Sequence, residues 1–124
     1  MGALAWLSCL SLLGEAREHQ HVLPPRLTLA VAYVESRCGI HARESSSGAL
    51  GVMQVMPFWA RTNLRARCGA DLRDARVSLC YGTRILRHYL ARCRGNLDCA
   101  LARYSGYSLG YARRTRRAVK ELRP

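Results

Sequence analysis

Residues 25–36 read PRLTLAVAYVES, and residues 48–57 read GALGVMQVMP. Apolar residues recur at helical spacing in the first stretch, behind Pro24 and Pro25, which predicts a helix over residues 25–36 with one buried stripe. Glu35 lies in the last turn of this helix, and the glycine-paced second stretch follows after a short loop. A carboxyl group in an apolar cleft is pushed toward its neutral form, so Glu35 is the candidate proton donor of the chain.

The rest of the chain shows the same helical pattern, interrupted by short loops. Further helices are predicted over residues 57–64, 75–92, 97–104 and 108–122. Asp74, Asn96 and Ser108 are the expected caps of the last three helices. Residues 52–56 are predicted to form a small strand or a buried extended segment. The fold class is therefore mainly α: a single compact helical domain with at most a small β region near residues 40–56.

The composition describes a small, folded and strongly basic protein. The 124 residues suffice for one domain, and 49% hydrophobic residues argue against disorder. Twenty basic residues, nineteen of them Arg, stand against eight acidic ones and give a formal net charge of +12. Such a charge favours nucleic acid, anionic lipid surfaces or the bacterial cell wall as partners, without choosing among them.

The N-terminal segment fits a secretory signal. Residues 3–13 are an apolar run too short to span a bilayer, and residues 14–16 (GEA) fit a small-x-small cleavage site. We therefore predict a signal peptide over residues 1–16 and the functional domain over residues 22–123. No Lys or Arg precedes the apolar run, so an ordinary amphipathic helix is the alternative.

Removal of this segment would also remove Cys9 and leave five cysteines. None of them forms a C-x-x-C pair, and the histidines are not spaced among them as zinc ligands, so no metal is expected. Disulfides in an exported domain fit better. Cys93 with Cys99 is the first choice, and Cys68 with Cys80 is the second. Cys38 is expected to remain unpaired, although the sequence leaves the connectivity open.

Within the predicted domain over residues 22–123, Glu35 is the one carboxylate on an apolar helix. The others lie near helix starts, in a serine-rich loop or in the basic C-terminal turn: Asp71, Asp74, Asp98, Glu44 and Glu121. Acids near helix starts stabilise the helix dipole and cap amide groups. A lone Glu on an apolar helix is more often an ion-paired structural residue than a catalyst, so the motifs around it must decide.

Three segments in fixed order resemble the motifs of the lytic transglycosylase SLT domain, a family with a lysozyme-like fold. They are ESR at residues 35–37, GALGVMQVMP at residues 48–57 and ALARYSG at residues 100–106. The family motifs read approximately E-S, then G-A-x-G-L-M-Q-x-M-P, then A-x-x-Y-N-x-G. The resemblance covers about residues 25–112. Val52 stands where the family usually has Leu, and Ser105 stands where it commonly has Asn.

The resemblance implies a set of substrate-binding residues. Ser45 matches a loop serine that helps to bind substrate in relatives, with Ser46 as the alternative register because this loop looks one residue longer. Met53 and Gln54 match a pair that lines the cleft. Tyr104 matches a cleft tyrosine whose hydroxyl reaches the catalytic carboxyl in relatives.

For Glu35 the resemblance implies the role of sole catalytic acid. Glu35 would protonate the glycosidic oxygen between N-acetylmuramic acid and N-acetylglucosamine, and would then take the proton of the muramic C6 hydroxyl as a 1,6-anhydro ring closes. The resulting expectations are a monomeric enzyme without cofactor that acts on peptidoglycan glycan strands in the periplasm or cell envelope. Recruitment by secretion or conjugation machinery is a further expectation, and nucleic acid is not an expected partner.

Three alternatives remain open at the level of the sequence. A hydrolytic lysozyme of the same fold would use water and leave a reducing end. A basic nucleic-acid-binding or membrane-binding protein without enzymatic activity would rest on the Arg cluster at residues 113–120. A wall-binding module that has lost its activity would account for Ser105.

Overall fold

The chain folds into a helical domain around one core. The computed structural model describes residues 3–62, 64 and 67–122. Within these residues the α-helices are α1 (Ala3–Leu10), α2 (Leu13–Glu18), α3 (Pro25–Ser36), α4 (Ala75–Arg92), α5 (Leu97–Tyr104) and α6 (Tyr111–Glu121). The predicted helices over residues 25–36, 75–92 and 97–104 are confirmed to the residue, and the mainly α fold class is confirmed with them. None of the described helices is long and apolar enough to cross a membrane.

Helix α3 lies at the centre of the domain because other helices cover most of its circumference. It packs against α6, α2, α1 and α4, while α5 packs against α4 and α6. Residues 28–32 of α3 are all buried. A helix covered in this way must be apolar nearly all round, which makes the carboxyl group in its last turn exceptional.

Two of the three predicted caps are confirmed. The side chain of Asp74 accepts a hydrogen bond from the Arg76 amide at the start of α4, and that of Asn96 accepts from the Cys99 amide at the start of α5. The prediction for Ser108 is wrong, because α6 begins only at Tyr111. The loop before α6 contains several residues with positive φ, which no helix can include.

The region near residues 40–56 contains no strand in the described chain. One isolated antiparallel bridge joins Leu50 to Val55, and the residues between them form a turn. Gly51 permits this turn, since its φ is +78° and a side chain there would collide with the Leu72 carbonyl. The predicted helix over residues 57–64 is a short 3₁₀ helix, Pro57–Arg61.

The N-terminal segment packs onto α3 as helices α1 and α2. Cys9 and Ala16 are completely buried, and Cys9 forms a disulfide with Cys38. The prediction that Cys38 is unpaired is therefore wrong. Cleavage after residue 16 stays a prediction, and if it occurs it removes the partner of Cys38.

The other two disulfides are those predicted. Cys68 is joined to Cys80 and Cys93 to Cys99, so all six cysteines are paired. Residues 1–2 of the predicted signal and residues 63, 65, 66 and 123 of the predicted domain lie outside the described residues.

Gly82 of α4 provides a test of the packing beneath the cleft. A Cβ at position 82 would lie 2.9 Å from the Met53 Cβ and closer still to its sulfur. We expect Gly82→Ala to lower the free energy of unfolding, because overpacking costs about 1–3 kcal/mol and outweighs the gain in helix propensity of about 1 kcal/mol. Thermal and denaturant unfolding would measure the difference.

Gly14 of α2 is the matched control, since a Cβ there would meet no atom within 4 Å. Gly14→Ala should leave stability unchanged or raise it by up to about 1 kcal/mol. Equal stability for the Gly82→Ala variant and the wild type would contradict the tight contact between Gly82 and Met53.

Candidate active site

Glu35 is positioned by its neighbour Ser36. The Ser36 side chain is buried, and its hydroxyl donates a hydrogen bond to the Val52 carbonyl at 2.6 Å and accepts one from the Gly39 amide at 3.0 Å. These contacts join the end of α3 to the turn at residues 51–54. Glu35 precedes this junction directly and faces the cleft that the turn borders.

Tyr111 is the hydrogen-bond partner of the acid. Its hydroxyl donates to Glu35 Oε2 at 2.7 Å, and its side chain is buried at the first position of α6. Burial raises the pKa of the Tyr111 phenol well above its ordinary value, and the nearby carboxylate adds to this effect. Tyr111 therefore stays protonated and remains a donor.

Tyr104 occupies a different place from the one the resemblance implied. Its hydroxyl donates to the Met53 carbonyl at 2.8 Å instead of to the acid, and its ring stacks on that of Tyr111 with 6.5 Å between the centroids. Burial, with a smaller contribution from Glu35, keeps the pKa of Tyr104 well above its ordinary value. Tyr104 thus borders the cleft and supports the tyrosine that binds Glu35.

The surroundings of Glu35 favour its protonated form. Burial raises the pKa of Glu35 from 4.5 to about 7, although the hydrogen bond from Tyr111 and the positive charge of Arg114 both act to lower it. A carboxyl group with this pKa exists in both forms near neutral pH. It can therefore donate a proton and later accept one.

A cleft of about 370 Å³ opens in front of Glu35. Four of the residues expected at the site line it: Glu35, Ser45, Gln54 and Tyr104. Ser105, which replaces the family Asn, lines it as well. The structure therefore brings together residues from α3, the serine loop, the turn at residues 51–54 and the end of α5.

The serine loop is closed on itself, and of Ser45 and Ser46 it is Ser45 that lines the cleft. The Ser45 hydroxyl accepts a hydrogen bond from the Ala49 amide at 2.9 Å, and the Ser45 amide donates to the Ala49 carbonyl at 2.9 Å. Ser45 lies 3.1 Å from Ser47 between hydroxyl oxygens, and both side chains line the cleft. Ser46 is exposed and is not part of the lining.

Gln54 holds the cleft wall in place. Its side-chain amide nitrogen donates hydrogen bonds to the carbonyls of Arg43 and Gly51, both at 2.9 Å, and so joins the serine loop to the turn. The backbone of Gln54 has a φ of 51°, a left-handed value that a non-glycine residue seldom adopts.

Met53 does not face the cleft. Its side chain is completely buried against Gly82 of α4, and its backbone amide donates a hydrogen bond to the Ser78 hydroxyl at 2.9 Å. The expectation that Met53 lines the cleft is thus contradicted. Its contribution to the site is the carbonyl that holds Tyr104.

The cleft continues past Glu35 on its other side. A smaller cavity of about 160 Å³ is lined by Val34, Glu35, Ser105, Ser108, Tyr111 and Arg114. The Ser105 hydroxyl shapes the loop between α5 and α6, since it donates to the Ala102 carbonyl and accepts from the Ser108 amide. The acid therefore lies where two adjoining cavities meet.

Three neighbouring aromatic side chains belong to the lining of the larger cleft. Phe58 and Trp59 of the 3₁₀ helix have ring centroids 4.9 Å apart, and Trp59 meets Tyr89 of α4 edge to face at 5.8 Å. All three line the cleft, and Phe58 is 46% exposed. Sequence reasoning did not single out these residues or Tyr111.

The pattern of α6 contained a signal for Tyr111. Tyr111, Thr115, Ala118 and Leu122 recur at helical spacing within an otherwise Arg-rich stretch, and all four are buried. A tyrosine at the start of such a stripe must point inward, toward whichever helix α6 covers. The sequence alone does not say that this helix is α3.

The transglycosylase SLT domain family matches residues 13–122 of the chain. The chain belongs to this family. No curated protein and no solved structure matches the chain significantly. The family-level function is cleavage of peptidoglycan of the lytic transglycosylase type, which takes place outside the cytoplasm. The match begins at residue 13 and so includes part of the predicted signal segment.

The raised pKa of Glu35 predicts how stability depends on pH. Between the ordinary pKa of 4.5 and the native value of about 7, the folded protein holds a proton that the unfolded chain has released. This stabilisation is fully present below pH 4.5 and is lost as the pH rises through about 7. The loss should be about 3 kcal/mol in the free energy of unfolding.

Denaturant unfolding between pH 4 and pH 8 would measure the free energy of unfolding of the wild type and of Glu35→Gln, which has no carboxyl proton to lose at this position. The difference in stability between the two proteins should move in favour of Glu35→Gln as the pH rises. Glu44→Gln is the control, because Glu44 is exposed in the serine loop. A constant difference between wild type and Glu35→Gln would contradict the burial of this carboxyl group.

Tyr111→Phe should raise the pKa of Glu35 further, because the hydrogen bond it removes favours the carboxylate. A bond of this kind contributes about 1 kcal/mol, so the increase should be less than about one pH unit. Carbon NMR titration of the Glu35 carboxyl group would report it directly. Tyr104→Phe is the control and should leave the pKa of Glu35 unchanged. A fall of this pKa in Tyr111→Phe would refute the assigned hydrogen bond.

Proposed function

We propose that the protein is a lytic transglycosylase that cleaves the β-1,4 bond between N-acetylmuramic acid and N-acetylglucosamine without water. The products would carry 1,6-anhydromuramic ends. Membership of the SLT family supports cleavage of peptidoglycan, and the surroundings of Glu35 support this particular chemistry.

One observation carries the proposal. Among the described residues that line the two cavities around it, Glu35 has the only carboxyl group. Most glycoside hydrolases need two carboxyl groups that flank the scissile bond, with substrate-assisted enzymes among the exceptions. A single acid with a pKa of about 7 therefore favours a reaction in which the substrate supplies the second group.

The reaction would proceed in two steps. Protonated Glu35 donates its proton to the glycosidic oxygen, and the N-acetylglucosamine part leaves with a free C4 hydroxyl. The N-acetyl oxygen of the muramic sugar bonds to the anomeric carbon and stabilises its positive charge. Glu35, now a carboxylate, takes the proton of the C6 hydroxyl while O6 bonds to the anomeric carbon and displaces the acetamido oxygen. The acid is thereby restored and no water is consumed.

The shape of the site supports a polymeric substrate. Glu35 lies between two adjoining cavities, so sugar units can lie on both sides of the scissile bond. Phe58 and Trp59 place aromatic rings in the lining of the larger cavity. Ser45 and Gln54 place polar groups along its wall, which suits the hydroxyl and acetamido groups of a sugar.

A hydrolytic lysozyme is the rival with the same site. It would activate water in place of the C6 hydroxyl and release reducing ends. The two reactions differ by one water in the mass of each released fragment. The proposed place of action is the periplasm or cell envelope, and the protein is proposed to act as a monomer. A role in opening the wall for a secretion or conjugation apparatus stays a prediction.

The test is digestion of insoluble peptidoglycan by the purified protein, with mass analysis of the released fragments. We expect anhydro products from the wild type and a loss of at least about 100-fold in Glu35→Gln, since general acid catalysis contributes about that much. Glu44→Gln should keep full activity. Reducing-end products would assign the protein to the hydrolytic rival, and equal release by Glu35→Gln would refute the role of Glu35.

A further inference from the structure

A second groove lies between α3 and α6, beside the Glu35 site. Its volume is about 480 Å³, and it is lined by Tyr33, Val34, Arg37, Arg114, Arg117 and Glu121. Val34 and Arg114 also line the smaller cavity that contains Glu35. The groove therefore adjoins the candidate active site along one side of α3.

Arg37 is held in place at the edge of this groove. Its guanidinium group donates to the Tyr33 hydroxyl at 2.6 Å and lies 5.0 Å from the centre of the Tyr33 ring. Neither contact involves a carboxylate, so the positive charge is oriented without being neutralised. A guanidinium fixed in this way loses less conformational entropy when it binds an anion.

The charges around the groove are unequal. Arg117 donates to Glu121 at 3.0 Å, whereas Arg114 donates to the Leu109 carbonyl at 3.1 Å. Three guanidinium groups and one carboxyl group thus line the groove among the described residues. Such a set favours an anionic ligand, and planar guanidinium groups match a carboxylate in geometry.

We infer that this groove binds a carboxylate carried by the glycan strand whose scissile bond lies at Glu35. The inference rests on the proposed function. It adds that the protein selects strands by the charge attached to their muramic units, with Arg37 and Arg117 as specificity-determining residues.

The chemistry of the strand supports this occupant. The sugar rings with their hydroxyl and N-acetyl groups are neutral, so the negative charge of a glycan strand resides in its lactyl groups or in peptides joined to them. These groups are attached to the muramic sugar at the scissile bond, and they project sideways from the strand. A groove that adjoins the cavity beside Glu35 is within their reach.

The test measures binding without cleavage, in a Glu35→Gln background, to three preparations of glycan strands. The first carries peptides, the second is stripped of peptides and keeps free lactyl carboxylates, and the third is stripped and has its carboxyl groups converted to neutral amides. Arg37→Gln and Arg117→Gln are each compared with Arg113→Gln. Arg113 is exposed on the same helix as Arg117 and does not line the groove, so it controls for the overall charge.

We expect each groove variant to raise the Kd for carboxylate-bearing strands roughly fivefold, in line with a partly exposed charge pair, and to leave the Kd for the neutral strands unchanged. An increase confined to the second preparation identifies the free lactyl carboxylate as the ligand, because in the first preparation that carboxyl group is joined to the peptide as an amide. An increase with both charged preparations identifies a groove that binds either carboxylate. An increase confined to the first preparation identifies a peptide carboxylate.

Two results would overturn the inference. One is an equal Kd for all three preparations, or no measurable binding. The other is an equal increase of the Kd in Arg113→Gln, which would mean that an extended basic surface attracts the polymer. The activity of the wild type on peptidoglycan is measured in parallel. Anhydro products without selective binding would refute only the inference that the groove binds a carboxylate. Selective binding without products would refute only the proposed function.

Discussion

The site depends on the hydrogen bond from Ser36 to the Val52 carbonyl. This bond fixes the end of the central helix α3 to the turn at residues 51–54 at a distance of 2.6 Å. The turn in turn holds Gln54, whose side chain fastens the serine loop. Removal of the buried Ser36 hydroxyl would leave the Val52 carbonyl without its hydrogen-bond donor, at a cost of about 1–3 kcal/mol. The pairing of Glu with Ser in the first motif thus has a physical reason, because Ser36 fixes the position of the neighbouring residue, which is the proposed catalytic acid.

Helix α6 completes the site from the opposite side. Its buried stripe places the Tyr111 hydroxyl against Glu35, while four of its other eight side chains are Arg. Arg114 belongs to the Arg-rich part of α6 and also to the site, since it lines the cavity beside Glu35 and its charge lowers the pKa of the acid. The basic character of the chain therefore acts inside the site as well as on the outer surface.

Local patterns were sufficient to predict most of the helices. The apolar spacing of α3 and the capping residues Asp74 and Asn96 depend on neighbours in sequence, so the boundaries at α3, α4 and α5 could be predicted to the residue. Ser108 failed as a cap because the loop before α6 has its own left-handed geometry. The packing of residues 3–16 was not predicted, because an apolar run of this length looks alike in a signal and in a core helix.

The candidate site could be predicted only where sequence motifs fixed it. Glu35, Ser45 and Gln54 lie within or beside the first two motifs, and the structure places all three at the cleft. Met53 was misplaced because a motif gives the position of a residue and not the direction of its side chain. Tyr111 was missed because its contact with Glu35 joins residues 76 positions apart, and only the packing of α6 on α3 brings them together.

The balance of effects on Glu35 agrees with the two roles proposed for it. Burial alone would favour the neutral acid so strongly that the carboxylate formed in the first step would be a costly intermediate. Tyr111 and Arg114 stabilise that carboxylate and hold the pKa at about 7. An enzyme with two carboxyl groups can divide the roles of acid and base between them, whereas a single carboxyl group must be accessible in both forms. In the proposed mechanism, Tyr111, which the sequence did not reveal, therefore helps to stabilise the Glu35 carboxylate between the two steps.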